Sequence, residues 1–228
     1  MERQEAIQQL IDNRKYKTYL EIGVLGGFVF FGVKCSMKIA VDPEFKFNWK
    51  GRLGETIRNP YNINAKFFEV TSDQFFEKEA RSVFKKRKLD IALIDGMHEF
   101  DYVLNDVNNS LHYLSDNGVL LLHDCNPETV EAEVPFNAWK ERGYSGHWNG
   151  DTWKVIPYLR KHRPDLDVFV ADCDHGLGVI SKNKRPAVST NDGREEFREM
   201  TYADLEKQRR ELLNLKPESH LEQFVNQR

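Results

Sequence analysis

The first half of the chain alternates short, continuously apolar runs with longer amphipathic stretches. The apolar runs span residues 19–24, 38–42, 67–71, 90–95 and 118–124, and each ends in glycine or polar residues. Runs of this length without apolar–polar alternation are typical of strands that are buried on both faces. Helical periodicity lies between the runs, for example over residues 102–114. The pattern therefore predicts a parallel sheet with helices on both faces.

Beyond residue 124 the pattern becomes less regular. A helix is predicted over residues 155–162, and residues 167–172 and 178–181 form two further apolar runs with no helical segment between them. Such a pair favours a hairpin at the edge of the sheet. The complete prediction is an α/β fold, Rossmann-like and doubly wound, with a mostly parallel seven-stranded sheet, an antiparallel edge hairpin and helices on both faces.

Two units are predicted along the chain. Residues 1–183 form the ligand-binding domain, and residues 184–228 form a charged C-terminal extension with one helix near residues 202–215. Thr201 and Asp204 have the spacing of a capping box at the start of that helix. The weak apolar periodicity of the extension predicts a surface helix or a partner contact, so removal of residues 201–228 is expected to leave ligand binding intact.

Composition narrows the choice of partners. Of the 228 residues, 40% are apolar and 30% are charged, and the formal net charge of -3 argues against nucleic acid or an anionic membrane as partner. No apolar run reaches the ~20 residues of a membrane span. Cys35, Cys125 and Cys173 have neither the number nor the spacing of a disulfide framework or a CxxC metal site. Since the charged N-terminal segment also lacks a signal-peptide core, a cytoplasmic protein is expected.

Polar or flexible residues stand at the end of each of the five strands predicted before residue 125. In chain order they are Glu21, Gly23, Gly26 and Gly27, then Asp42, then Thr71, Ser72 and Asp73, then Asp95, Gly96 and His98, and finally His123 and Asp124. Open parallel sheets bind their ligands beyond the carboxyl ends of the strands. These residues are therefore the candidates for a binding site.

The first two strand ends indicate the chemistry of the ligand. Asp42 follows Gly23 by 19 residues, which is about the spacing at which an acid on the second strand reaches a ribose hydroxyl pair. The glycine run of residues 23–27 lacks the GxGxxG spacing of dinucleotide sites, which favours an adenosine ligand without a pyrophosphate. Glu21 would repel phosphate and could pair with an ammonium group. The alternative roles are a turn before Pro43 for Asp42, and a cap or turn partner for Glu21.

Several segments resemble class I S-adenosylmethionine-dependent methyltransferases. They are YLEIGVLGG from residue 19, IAVDPEF from residue 39, IALIDGMHEFDYVLNDV from residue 91 and GVLLLHDCNP from residue 118. The similarity extends over about residues 19–182 and is most specific in IDGMHEFDYVLNDV. Together with GHWNGDTWK from residue 146, these segments resemble more narrowly the macrocin O-methyltransferase-like branch, of the methyltransferase family 24 type.

This resemblance implies a role for each matching residue. Glu21, Gly23 and Gly26 would form the S-adenosylmethionine loop, Asp42 would hold the ribose, Ser72 and Asp73 would border the adenine, and Asp95 would lie near the methionine end. The loop departs from the GxGxG pattern of most such enzymes at Leu25 and Gly26.

Two acids follow strands that are predicted to be neighbours. Asp95 and Asp124 would face each other, because adjacent strands lie ~4.8 Å apart. Two carboxylates at that separation repel unless a proton or a cation lies between them, and Mg²⁺ prefers such oxygen ligands. Catechol-type methyltransferases are similar here, but they have Asn directly after the second acid, where this chain has Cys125 and then Asn126. Asp95 and Asp124 are thus candidate metal ligands, with a proton-sharing pair as the alternative.

Three further side chains are candidates around this pair. His98 follows Asp95 by three residues and could act as a general base, since imidazole titrates near neutral pH, or make a loop hydrogen bond. His123 precedes Asp124 on a predicted strand, so regular geometry places the two on opposite faces and favours a packing role for His123. Lys154 could hold an anionic group of an acceptor. The tryptophans beside it would either recognise a ring or pack a lid onto the sheet.

The predicted function is S-adenosylmethionine-dependent methyl transfer to a hydroxyl group of a small polar or sugar-containing acceptor. Asp95, His98, Asp124 and Lys154 are the catalytic candidates, with Mg²⁺ as an optional second cofactor. The alternatives are a nucleotide-dependent oxidoreductase on a similar fold and a non-catalytic S-adenosylmethionine-binding module. The expected partner is a small molecule rather than nucleic acid or membrane, with the C-terminal extension as the candidate surface for a homo-oligomer or partner contact.

Overall fold

A computed structural model of the chain, which describes residues 1–186 and 193–227, contains an eight-stranded sheet. The strands are β1 (Thr18–Ile22), β2 (Met37–Asp42), β3 (Lys66–Glu69), β4 (Leu89–Ile94), β5 (Leu114–Leu122), β6 (Leu166–Ala171), β7 (Leu177–Lys182) and β8 (Leu215–Lys216). All seven predicted strands are present. The prediction is one strand short because β8, only two residues long, comes from the C-terminal extension.

The strand order is β3-β2-β1-β4-β5-β7-β6-β8. β7 runs antiparallel to both β5 and β6, and the pairs from β3 to β5 and the pair β6–β8 are parallel. The mostly parallel, doubly wound fold with an antiparallel hairpin is therefore confirmed. The chain reverses its direction of winding between β1 and β4, and the carboxyl ends of these two strands mark the crevice where such sheets bind ligands.

Helices and short turns connect the strands. The helices are α1 (Arg3–Arg14), α2 (Phe28–Gly32), α3 (Trp49–Arg58), α4 (Ser72–Lys78), α5 (Ala80–Val83), α6 (Phe100–Tyr113), α7 (Phe136–Glu141), α8 (Val155–His162), α9 (Arg194–Arg198), α10 (Tyr202–Leu212) and α11 (Glu218–Asn226). Within the described ranges, no helix has the length and apolar content that crossing a membrane requires.

Alternate residues of the central strands pack on opposite faces of the sheet, as strand geometry requires. On β4, Ala92 and Ile94 belong to one apolar cluster, which includes residues of α4, α5, α6 and α8, whereas Ile91 and Leu93 belong to the other, which includes residues of α1, α2 and α11. Both sets are buried, which explains why the strands read as continuously apolar in the sequence.

The C-terminal extension is a structural part of this fold. The prediction of one surface helix is wrong, because the described part of the extension forms α9, α10, β8 and α11. The Thr201 amide does donate to Asp204 at 2.9 Å at the predicted start of α10. Leu205 and Leu213 join one apolar cluster, and Leu221 joins the other. Residues 187–192 and 228 of the predicted extension lie outside the described residues.

This packing predicts that the extension contributes to stability. Leu213 is 0% exposed, so Leu213→Ala is expected to lower the free energy of unfolding by about 2–5 kcal/mol, through lost apolar burial and the cavity left behind. Urea denaturation measures the change. Glu206→Ala, an exposed position of α10, is the matched control and should change the value by less than about 0.5 kcal/mol. Equal, small effects of the two substitutions would mean that the extension does not contribute to the free energy of unfolding.

Candidate active site

The candidate site lies where β4 and β5 end side by side. Ile94 pairs with Leu122 in the sheet, so the residues that follow leave the same edge together. Asp95, His98 and Asp124 each offer a nitrogen or oxygen atom, and these atoms lie within 4.8 Å of one another. The structure therefore brings three of the four predicted catalytic residues into one cluster.

His123 belongs to the same cluster, contrary to the prediction that it lies on the opposite face from Asp124. β5 ends at Leu122, so strand alternation does not extend to these residues. Asp124 has a φ of 60°, in the left-handed region that aspartate adopts more readily than most residues. The turn places the His123 Nδ1 atom 3.0 Å from a carboxylate oxygen of Asp124.

The imidazole of His123 contacts three carboxylates. Besides Asp124, its Nδ1 lies 3.1 Å from Asp95 and its Nε2 lies 3.2 Å from Asp174, which follows β6. Burial by itself lowers the pKa of His123, but these hydrogen bonds outweigh burial and the pKa is raised. His123 is therefore a cation at neutral pH, and it balances part of the negative charge of the cluster.

His98 is held from both sides. Its Nδ1 lies 3.0 Å from the Trp148 carbonyl oxygen and 3.2 Å from Asp124, and its Nε2 lies 3.3 Å from Asp95. The Trp148 ring stacks on the imidazole, with ring centroids 4.9 Å apart. Burial lowers the pKa of His98, but hydrogen bonding to Asp95 and the charge of Asp124 raise it further than burial lowers it.

The segment before α8 fixes the loop that carries His98. A side chain at Gly150 would place its Cβ 1.8 Å from the His98 carbonyl oxygen, so only glycine permits this approach. The next residue, Asp151, donates its amide to the same carbonyl at 3.0 Å and accepts from the Phe100 amide at 2.6 Å at the start of α6. The motif GHWNGDTWK thereby positions the His98 imidazole and lines the site beside it.

Four polar residues of the site were not singled out by sequence analysis. They are Arg3, His147, Asn149 and Asp174. His147 and Asn149 contact Asp124 at 3.0 and 2.9 Å, and GHWNGDTWK already contained both. Arg3 reaches the site from the first turn of α1, where it contacts Asp174 at 2.8 Å. No local pattern predicts such a contact, because the two residues are 171 positions apart.

The glycine loop adjoins this cluster on the side of β1. Gly23 has a φ of 85°, and a Cβ there would lie 2.0 Å from the Asp95 carbonyl oxygen, so the loop and the end of β4 touch through their backbones. Asp42, at the end of β2, accepts hydrogen bonds from the amides of Leu25 and Glu44, each at 2.8 Å. Asp42 therefore orders the loop, and its carboxylate retains two of its about four acceptor positions for a ligand.

Glu21 is a buried acid beneath this loop. Burial raises the pKa of Glu21 to about 8, and the Tyr19 hydroxyl donates a hydrogen bond to its carboxylate. Desolvation costs an acid most when no cation is near it. A ligand cation beside Glu21 would favour its ionised form.

The remaining predicted residues lie around this centre. Ser72 and Asp73 are in the first turn of α4, beyond β3, and Ser72 hydrogen-bonds to Asp106, whose pKa burial raises to about 7. Lys154 is buried, and its Nζ contacts Asp151 at 3.1 Å and the Arg198 carbonyl oxygen at 3.1 Å. These contacts direct Lys154 toward the C-terminal extension, and its catalytic role stays a prediction.

Comparison with known proteins agrees with this geometry. Residues 20–125 match the family model described as a methyltransferase domain. This segment contains β1 to β5, the glycine loop and the acids at the ends of β2, β4 and β5. A search of curated proteins found no match.

Many solved structures share the fold. The O-methyltransferase TomG from Streptomyces achromogenes, in complex with S-adenosylmethionine, has 9% identity and a TM-score of 0.58, covering 79% of each chain. The S-adenosylhomocysteine complex of a Podospora anserina methyltransferase has 18% identity and a TM-score of 0.51, covering 79% of this chain and 78% of that one. The O-methyltransferase from Bacillus cereus, also with S-adenosylhomocysteine, has 13% identity and a TM-score of 0.53, covering 79% and 80%. Residues 20–125 thus match a methyltransferase domain, and the chain shares the fold of these methyltransferases.

Proposed function

We propose that the protein transfers the methyl group of S-adenosylmethionine to a hydroxyl group of a small polar or sugar-containing acceptor. The observation that carries this proposal is the cluster of the partly buried Asp95 and His98 with the buried Asp124, directly beside the glycine loop. An alkyl hydroxyl is a weak nucleophile, and a base or cation next to the methyl donor lowers the cost of removing its proton.

The acids next to the glycine loop suit S-adenosylmethionine. Asp42 would accept hydrogen bonds from the ribose hydroxyls, beside the loop that it orders. Glu21 and Asp95 would attract the ammonium group of the methionine part, since both are acids at the ends of adjacent strands. The buried carboxyl of Glu21 has only the Tyr19 hydroxyl as a hydrogen-bond partner in residues 1–186 and 193–227, which fits an added cation.

On the acceptor side, His98 is the candidate proton acceptor. With Nδ1 donating to the Trp148 carbonyl, the imidazole can accept a proton only at Nε2, which faces Asp95. Nε2 is unprotonated above the raised pKa of His98, so the base form increases with pH. The stacked Trp148 ring and the backbone around Gly150 hold this orientation. Fixing the base in advance reduces the entropy lost when the acceptor hydroxyl is aligned with the methyl group.

The same cluster fits a small divalent cation. Asp95 and Asp124 supply carboxylate oxygens and His98 a ring nitrogen, all within 4.8 Å, a donor set that Mg²⁺ or Mn²⁺ accepts. We propose that Asp95 and Asp124 would hold the ion. When bound, such a cation acts as a Lewis acid that favours the ionised form of an acceptor hydroxyl. Without it, His123 and Arg3 compensate the two carboxylates.

The cofactor assignment predicts the effect of substituting Asp42. Asp42→Ala should weaken S-adenosylhomocysteine binding by roughly 1–3 kcal/mol, because the ribose hydroxyls lose their acceptor and the loop loses its anchor. Isothermal titration calorimetry measures the affinity, which for the unchanged protein is expected in the micromolar range. Unchanged affinity in Asp42→Ala would leave Asp42 with a purely structural role.

NAD is the control ligand in that experiment. Because the loop lacks the GxGxxG spacing of dinucleotide sites, NAD should show no detectable heat. Binding of NAD without binding of S-adenosylhomocysteine would instead favour an oxidoreductase. Binding of S-adenosylhomocysteine with no methyl transfer to any hydroxyl acceptor would favour a non-catalytic module.

The base assignment predicts a separation of turnover from binding. His98→Ala should lower kcat by about 10²–10⁴-fold, the usual contribution of a positioned base, while cofactor affinity stays unchanged. Asp124→Asn should likewise abolish turnover and spare cofactor binding, whereas Asp95→Asn should reduce both. Steady-state kinetics and calorimetry on the same preparations test this. Full turnover in His98→Ala would remove it as the proton acceptor.

The cation assignment predicts that a chelator abolishes methyl transfer and that Mg²⁺ or Mn²⁺ restores it. The readout is methyl transfer in dialysed protein before and after addition of each ion, with Ca²⁺ as a larger control cation. Activity that is insensitive to the chelator would assign charge compensation to His123 and Arg3 alone. Chelator-insensitive activity that also survives His98→Ala would leave proximity as the main source of rate acceleration.

A further inference from the structure

The first turn of α1 places a guanidinium group over the candidate site. Arg3 donates from Nη1 to Asp174 at 2.8 Å and lies 2.9 Å from Nε2 of His123 with the same nitrogen. Its backbone amide also donates to Asp174, at 2.7 Å. The side chain is therefore anchored at one end by Asp174, whose carboxylate also lies 3.2 Å from Nε2 of His123.

The other end of the guanidinium has unused donors. An arginine carries five N–H donors, and Nη2 of Arg3 makes none of the hydrogen bonds described for residues 1–186 and 193–227. Nε is buried without a hydrogen-bond partner, although it lies 3.4 Å from an Asp95 oxygen. A buried donor without a partner costs free energy, so this position favours an added acceptor.

Nε lies on the side of Asp95, which the glycine loop touches. An α-amino acid group carries an ammonium and a carboxylate only a few bonds apart. A site for it therefore needs a negatively charged and a positively charged side chain equally close together. Asp95 and Arg3, with Nε 3.4 Å from the carboxylate, form such a pair beside Gly23. Arginine suits the carboxylate because its planar fork can donate two parallel hydrogen bonds.

We propose that Arg3 binds the carboxylate of the amino acid part of S-adenosylmethionine, so that α1 completes the cofactor site. This rests on the proposed function, and it adds a residue outside the matched segment 20–125. Arg3 thereby acts as a binding residue for the cofactor, held in place by Asp174.

The test compares two ligands that differ by one group. S-adenosylhomocysteine carries the carboxylate, whereas S-adenosyl-3-thiopropylamine is the same molecule without it. Calorimetry on the full chain is expected to show that Arg3→Gln binds S-adenosylhomocysteine about 10- to 100-fold more weakly. Its affinity for S-adenosyl-3-thiopropylamine should stay within about twofold, because that ligand makes no contact that the substitution removes.

Arg14→Ala, at the opposite end of α1, is the matched control and should change neither affinity. Arg14 donates to the Phe224 carbonyl oxygen and the Tyr16 hydroxyl and lies over the Phe224 ring, so its contacts are with residues outside the candidate site. Equal weakening of both ligands in Arg3→Gln would mean that Arg3 only orders the site, and unchanged binding of both would mean that it does not contact the ligand. Either result overturns the proposal.

The unchanged protein provides a test that needs no variant. It should bind S-adenosylhomocysteine at least about tenfold more tightly than the decarboxylated ligand, and equal affinities would contradict the role of Arg3. Failure to bind either ligand would overturn the proposed function itself, which distinguishes the two failures. Thermal melting followed by circular dichroism confirms that each variant is folded.

Discussion

Three carboxylates converge at the carboxyl edge of the sheet, and the rest of the site is organised by the need to balance their charge. Asp95, Asp124 and Asp174 all contact the single imidazole of His123. Opposite charges ~4 Å apart attract by ~1 kcal/mol in water and by ~4 kcal/mol at the effective dielectric near a protein surface. Two like charges at the same separation repel by the same energy, so the carboxylates need cations close to them. The compensating cations must therefore be held as firmly as the acids.

This balance connects parts of the chain that are distant in sequence. Arg3 comes from α1, His123 follows β5, and Asp174 lies in the turn between β6 and β7. The sheet supplies a rigid base, because both of its faces are buried by helices. The segment around Gly150 packs against the backbone of His98. Packing of α1 and of the β6–β7 turn at the edge of the sheet is thus a condition for assembling the site.

Much of the fold follows from local pattern. Continuous apolar runs identified seven strands, and those at the centre of the sheet read this way because burial on both faces leaves no polar alternation. The acids at strand ends were visible for the same reason, since each interrupts an apolar run. The β8 strand was missed because a two-residue bridge has no pattern of its own. The burial of Leu213 and Leu221 was missed because their apolar spacing is diluted by charged neighbours.

The site was less predictable than the fold because its contacts are long-range. Local sequence indicated that Asp95 and Asp124 leave adjacent strands, but the position of His123 depends on one backbone torsion at Asp124. The contact of Arg3 with Asp174 depends on how α1 packs against the sheet, which only the three-dimensional structure shows. We propose that one crevice holds the adenosine on Asp42 and the amino acid group on Asp95. A crystal structure with S-adenosylhomocysteine would show both contacts at once. We expect the ribose within hydrogen-bond distance of Asp42, and the sulfur facing His98. A ligand bound elsewhere, or bound in the reverse direction along the crevice, would contradict it.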